Sequence, residues 1–285
     1  MSREEKAQQV RNALAKICRQ DPRKDINKLR IIIALERTIA RFETVQLLEK
    51  HIVFKGGFVL LKTIDTPRFT KDLDALATGL AKEKIIPLIK QALQTDLNDG
   101  MWYGDVEVAD LVVGEYGGLR FTVAFQIGDP PLAGSGKLPR VNIDVGIGDQ
   151  IPKNLPKNLM PQLVHHDTVS WVVYPLEYTF AEKLEALFRR GSANSRAKDI
   201  YDLGLLFSKC NSTINLRKAI KNTFNNRGTP LPQSFFDAAQ QIDPQPTMQT
   251  AWKSVVLAGD KPNFTDVWQK MLNCLQQIDK IRESS

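Results

Sequence analysis

The sequence predicts an α/β (α+β) protein with flanking helices and a mainly helical C-terminal part, and three observations carry that expectation. Residues 27–49 place Leu29, Ile32, Ile33, Leu35, Ile39, Phe42, Val45 and Leu48 in a broad apolar stripe at helical spacing. Three valine-rich stretches, VEVADLVV, GGLRFTVAFQI and RVNIDVGIGD, alternate with period two and are parted by Gly, Asp and Pro turns. From Pro175 the pattern turns helical again, in LEYTFAEKLEALFRR and RAKDIYDLGLLFSK. A division into residues 1–170 and 171–285 follows.

In chain order, residues 3–19 form a first helix, ended at Asp21-Pro22, and Asp25 or Asn27 caps the second. The charged face of that second helix, with Glu36, Arg37 and Arg41, is expected to be solvated. HIVF, Gly56-Gly57 and FVLL then read as strand, tight turn and helix start. Such a turn exposes backbone N–H groups that can cradle phosphate oxygens, although a diglycine is more often only a turn. From Arg68 to Asp74 a strand would put Arg68, Thr70, Asp72 and Asp74 on one face, with Phe69 and Leu73 on the other. Carboxylates at i and i+2 repel unless a proton or cation lies between them, and in a basic chain a divalent cation is the better reading. The bland alternative is a solvated strand face.

Residues 81–95 are a further helix, with Pro87 near its first turn. GDPPLAGSGKLPR is too long for a tight hairpin and reads as a surface loop. Asp144, between Ile143 and Val145, is costly to bury alone, so it caps a strand end or faces charge. Residues 151–170 have no periodicity and read as a linker. Its adjacent histidines, His165 and His166, point to opposite faces of an extended chain and read as ordinary polar residues.

In the C-terminal part Phe180, Leu184, Leu187 and Phe188 give a core stripe. Arg189, Arg190, Arg196 and Lys198 surround the break at Gly-Ser-Ala-Asn-Ser. They are either a solvated helix end or a cluster able to hold triphosphate oxygens or an RNA backbone. Asp202 is expected to cap or to pair with a cation. Residues 211–285 read as polar loop followed by two helices, with Trp252 and Trp268 in a helical core rather than stacked on bases.

The 285 residues, 42% hydrophobic and 25% charged, are enough for a sizeable core and exclude default disorder. A net charge of +7 favours acidic partners such as nucleotides or nucleic acid. Cys18, Cys210 and Cys274 are odd in number and lack metal-site spacing, which fits a reducing compartment. The start, MSREEKAQQV, has no secretory pattern, and no apolar run reaches the roughly 20 residues of a membrane span, so a cytoplasmic protein is expected.

The pattern Lys55-Gly56-Gly57, Lys62, Arg68-x-Thr70-x-Asp72-x-Asp74, followed by AEKLEALFRRGSANSRAKDIYDL, resembles the AbiEii/AbiGii abortive-infection toxins of the DNA polymerase beta-like nucleotidyltransferases. With LERTIARF, the likeness covers most of residues 30–210. It implies a polymerase beta-like core with a mixed sheet, completed by the C-terminal domain. It also implies transfer of NMP from an NTP to an RNA acceptor, the tRNA 3′ end in the best-known members, within a toxin–antitoxin or phage-defence pair. The implied catalytic groups are Asp72, Asp74, Asp144 and Lys183, with the three aspartates holding Mg2+ or Mn2+. Asp149 is the fallback for the third carboxylate. Lys55, Gly56, Gly57, Arg68, Thr70, Lys183, Arg196 and Asp199 would bind nucleotide. Phe58 departs from the family's small hydroxyl residue. Nucleotidylation of a protein or small molecule, or silent RNA binding, are the rival readings.

Overall fold

The computed structural model describes every residue except 114, 115, 133, 149–151, 153, 243–245, 284 and 285, and the backbone alone at 112, 113, 116 and 283. It has two compact units, Met1–Val173 and Tyr174–Ser285.

The first unit begins with α1 (Arg3–Gln20), started by a capping box in which Ser2 and Glu5 bond each other's backbone N–H groups. α2 (Ile26–Glu43) is capped by Asp25, which accepts from the N–H groups of Asn27 and Lys28. The helix expected to continue to residue 49 stops at Thr44, whose hydroxyl turns back onto the Arg41 carbonyl at 2.8 Å. A separate short helix, α3 (Gln46–His51), follows. Then come β1 (Ile52–Lys55), α4 (Gly56–Thr63), β2 (Asp72–Ala77), α5 (Lys82–Gln94), β3 (Met101–Val113), β4 (Tyr116–Ile127) and β5 (Arg140–Ile147).

The five strands make a mixed sheet in the order β1-β2-β5-β4-β3, in which β2 and β5 run parallel and the other neighbours antiparallel. Leu73, Ala75, Leu119, Phe121, Val141, Ile143 and Val145 line its buried face, in one core with Ile33, Leu35, Ile39 and Phe42 of α2. Each such large side chain stabilises the fold by about 1.5–3 kcal/mol when buried.

Two expectations need correction. The segment read as a linker contains β6 (Lys157–Leu159) and β7 (Ser170–Val172), paired antiparallel, and its intervening turn is tied to α2. More consequential, the charged face of α2 is not solvated: Glu36, Arg37 and Arg41 are 0%, 2% and 1% exposed. The reason is a set of partners distant in sequence. Asp99 accepts from Arg37 at 2.7 Å and from Arg41 at 2.8 Å, and Arg37 also reaches Asp167 at 2.8 Å. Glu36 pairs with Lys62 and accepts the Leu163 N–H at 2.9 Å. His165 is bonded to the Asp99 carbonyl oxygen at 3.0 Å, which is a structural use of that histidine.

The second unit is helical: α6 (Leu176–Arg190), α7 (Ala197–Leu206), α8 (Thr213–Asn226), α9 (Phe235–Gln240), α10 (Pro246–Ser254) and α11 (Phe264–Glu283). Much of the stretch read as polar loop is therefore α8 and α9. Their apolar positions are few but well used, since Phe188, Phe224 and Phe235 meet with ring centroids 5.5–6.4 Å apart. Trp252 and Trp268 are buried in the same unit, packed around Phe264. No described helix is long and apolar enough to cross a membrane.

Burial pushes the Asp99 carboxyl up, but the hydrogen bonds and charges of Arg41 and Arg37 outweigh it and hold the group at about 2. A folded value below the ordinary 3.8 means that this stabilisation is complete above pH 3.8 and is lost as pH falls through 2. It amounts to about 2 kcal/mol. Asp99→Ala removes it and strands two buried guanidinium groups. Urea unfolding at pH 7 should show a loss of about 3–5 kcal/mol, and the variant should lack the wild type's decline between pH 4 and pH 2.

Candidate active site

The exposed-side residues of the sheet are set by register. Asp74 of β2 lies opposite Asp144 of the parallel β5 and opposite Lys55 of the antiparallel β1. Arg120 of β4 lies opposite Asp144. Register partners in neighbouring strands point to the same face, so Lys55, Asp74, Asp144 and Arg120 form one row across four strands. One step along each strand pair, Asp72, Asn142 and Thr122 form a second row. All seven side chains are half-buried, while the intervening Leu73, Ile143 and Phe121 are fully buried beneath them.

The rows are joined by specific bonds. Arg120 donates from Nε and Nη2 to the two oxygens of Asp144 at 2.8 and 2.6 Å. The Asp144 hydrogen bond first, and then the charges of Asp144, Asp72 and Asp74, hold the Arg120 guanidinium even more firmly protonated than usual. In the second row Thr122 donates to the Asn142 carbonyl oxygen at 3.0 Å, which turns the Asn142 amide to donate to Asp72 at 2.9 Å.

The diglycine turn approaches this acidic face directly. β1 passes at once into α4 through Gly56, whose φ of +77° lies in the left-handed region that favours glycine. A Cβ at Gly56 would overlap the Asp74 carboxylate, and one at Gly57 would come within 2.8 Å of the Arg68 guanidinium. The N-cap of α4 is Lys55, whose own side chain makes no capping bond. Helix N-termini of this kind present backbone N–H groups to anions.

The expected strand from Arg68 is corrected at its start, because β2 begins only at Asp72. The preceding residues turn instead, with the Asp72 N–H donating to Thr70 Oγ1 and the Arg68 N–H to Thr66 Oγ1, each at 3.3 Å. Arg68 and Thr70 are consequently buried rather than alternating along a strand edge. Phe58 is fully buried with its ring edge-on to Trp171, so that side chain serves the core. Lys62 is held by Glu36. Asp149 lies outside the described residues.

Hard carboxylate oxygens suit magnesium, and Asp72 and Asp74 offer them from alternate positions on one face. Asp144 is engaged by Arg120, and among the described residues no group of three or more His, Cys, Asp or Glu side chains is gathered to hold an ion. The donor chemistry fits as an aspartate pair with a third carboxylate beside it. Sequence reasoning missed Arg120 and Asn142. Their only signal was the alternation of β4 and β5, which assigns the face but names no partner.

The second unit contains its own charge cluster. Lys183 of α6 bonds Asp199 at 2.5 Å and Asp202 at 3.0 Å, and Arg196 reaches Asp199 at 3.4 Å. Burial raises the Asp199 carboxyl, but the Lys183 charge overcomes that and holds it at about 2. Arg189 belongs to a different cluster: with Arg227 and Thr229 it surrounds the fully buried Glu185.

Comparison with known proteins identifies a family. Residues 37–271 match the family described as "Nucleotidyl transferase AbiEii toxin, Type IV TA system". The chain belongs to that family. The AbiEii fold is also seen in two solved Helicobacter pylori structures, JHP933 and a candidate nucleotidyltransferase, each 16% identical to this chain. They superpose with TM-scores of 0.54 and 0.53 over 88% of this chain and 91% and 95% of theirs, which establishes the fold. A search of curated proteins gives no match.

Two outcomes are expected here. Gly56→Ala must strain the left-handed turn and push on Asp74, lowering stability by about 1–2 kcal/mol in thermal unfolding. Lys183→Met removes the cation shared by two buried carboxylates and leaves burial to push the Asp199 carboxyl up. Its destabilisation, about 3–5 kcal/mol at pH 7, should shrink as pH is lowered toward 4 and Asp199 takes up a proton.

Proposed function

We propose that this AbiEii toxin transfers a nucleoside monophosphate from an NTP to an RNA acceptor, the 3′ end of tRNA, with a divalent cation held at Asp72 and Asp74. The supporting observation is the in-register Asp74–Asp144 pair, with Asp72 one step away and the Gly56-Gly57 turn against the same carboxylates. Paired acidic groups beside a helix start are suited to a substrate that carries both metal and phosphate.

Asp72 and Asp74 would hold Mg2+ or Mn2+, with Asp144 as the third ligand. When bound, the metal lowers the pKa of the acceptor hydroxyl and offsets the charge growing on pyrophosphate. Asn142 orients the Asp72 carboxylate, and the second row of the sheet thereby sets where the acidic pair points. Asp144 is the group assigned to accept the acceptor's proton. Lys55, Arg68, Thr70 and the N–H groups of Gly56 and Gly57 are assigned to the phosphates. The downstream motif assigns Lys183, Arg196 and Asp199 to the same reaction, with Lys183 as the catalytic cation of the second unit. The family's type IV toxin–antitoxin description supports a cognate antitoxin as partner. The net charge of +7 favours an RNA acceptor over an acidic protein face, through counterion release along the phosphate backbone.

Incubation with each labelled NTP and a total RNA pool, with and without Mg2+, tests the reading. Label should enter tRNA only with metal. Asp72→Asn and Asp74→Asn should each cut transfer at least about 100-fold while unfolding as the wild type does. Undiminished transfer by both variants, or label in protein instead of RNA, refutes it.

A further inference from the structure

We propose that Arg120 is the resident counter-ion of the acidic face, the group with which a divalent cation must compete to engage Asp144. This deepens the nucleotidyltransferase reading and rests on it. Arg120 stands opposite Asp144 by strand register and bonds both carboxylate oxygens in a two-pronged pair at 2.8 and 2.6 Å. With one lone pair of each oxygen so engaged, and a fixed positive charge against the carboxylate, Asp144 offers a metal ion fewer acceptor sites and faces it across a like charge.

The exposure of the pair shows why it can exchange. The Arg120 side chain is 42% exposed and that of Asp144 is 19%, whereas Arg37 and Arg41 are locked at 2% and 1% around Asp99. A guanidinium already in contact with water can leave its carboxylate without a buried charge being stranded. Its planar fork also matches phosphate oxygens as well as it matches a carboxylate. A metal that comes with a triphosphate therefore offers Arg120 a replacement anion, and a metal that comes alone does not. Arg120 thus weakens binding of free metal and couples occupancy of the acidic face to nucleotide. It is a positioning residue for Asp144.

Titration of the full chain with Mn2+ alone, followed by electron paramagnetic resonance, is the test. Arg120→Gln should bind Mn2+ about tenfold more tightly than the wild type, the equivalent of one charge-assisted hydrogen bond removed from competition. Arg120→Lys keeps the charge and should stay within about threefold of the wild type. Adding a non-hydrolysable NTP analogue should tighten Mn2+ binding more in the wild type than in Arg120→Gln. Unchanged or weaker Mn2+ binding by Arg120→Gln, with binding abolished in Asp74→Asn, overturns the role of Arg120 and leaves the metal site standing. Equal Mn2+ binding by Asp74→Asn and the wild type removes the metal site itself, and the proposal with it.

Discussion

Repulsion between carboxylates on adjacent strands is the constraint around which the first unit is arranged. Asp74 and Asp144 are register partners, so their backbones are about 4.8 Å apart, and Asp72 projects from the same face. Two unit charges at such spacing cost on the order of 3–4 kcal/mol at an effective dielectric near 20. The row tolerates this because a cation stands at each end, Lys55 on β1 and Arg120 on β4. The opposite face explains why the repulsion is not relieved by slipping register. A shift of one residue would drive Asp72, Asp74 and Asp144 into the core and expose Leu73 and Ile143. Hydrophobic burial thus holds the acidic groups together against their own electrostatics.

The chain handles charge in two physically different ways. Arg37, Arg41 and Asp99 in the first unit are buried and mutually paired, and in the second the buried Asp199 and Asp202 pair with the half-buried Lys183. Such groups do not separate without leaving a charge in a low-dielectric interior, so they hold one another in place. The row on the sheet is half-exposed, and each of its carboxylates retains access to water. There one partner can be traded for another at small cost. That distinction, more than the count of acidic residues, is what the proposed ion on the sheet face rests on.

What the sequence revealed, and what it hid, follows from the range of the interactions. The Gly56-Gly57 turn, the one-face placement of Asp72 and Asp74 and the alternation of β5 are local patterns, and each was readable from a few residues. The mixed sheet was reached through resemblance, because no local pattern specifies that β2 pairs with β5 some 70 residues later. The burial of Glu36, Arg37 and Arg41 was not legible. On α2 they look like any polar helix face, and their partners Asp99, Asp167 and Lys62 lie elsewhere in the chain. The start of β2 was misread for a related reason. Thr70 and Thr66 have the side chains of a strand edge, but their hydroxyls accept backbone bonds and turn the chain instead.

Phe58 bears on the proposed phosphate side of the site. In a turn that relied on a hydroxyl at this position, a phenylalanine would remove a donor. Here Phe58 fills the core against Trp171, and its burial helps anchor the first turn of α4. The groups proposed to meet phosphate do not depend on that side chain: backbone N–H groups of a helix start, and the buried Arg68 guanidinium close to Gly57. Backbone groups held by a rigid turn need no rotamer ordering to meet an anion, and so lose less entropy than a rotating hydroxyl. Gly56 and Gly57 are accordingly required for space as much as for flexibility, since any side chain there would occupy the ground where Asp74 and Arg68 approach the turn.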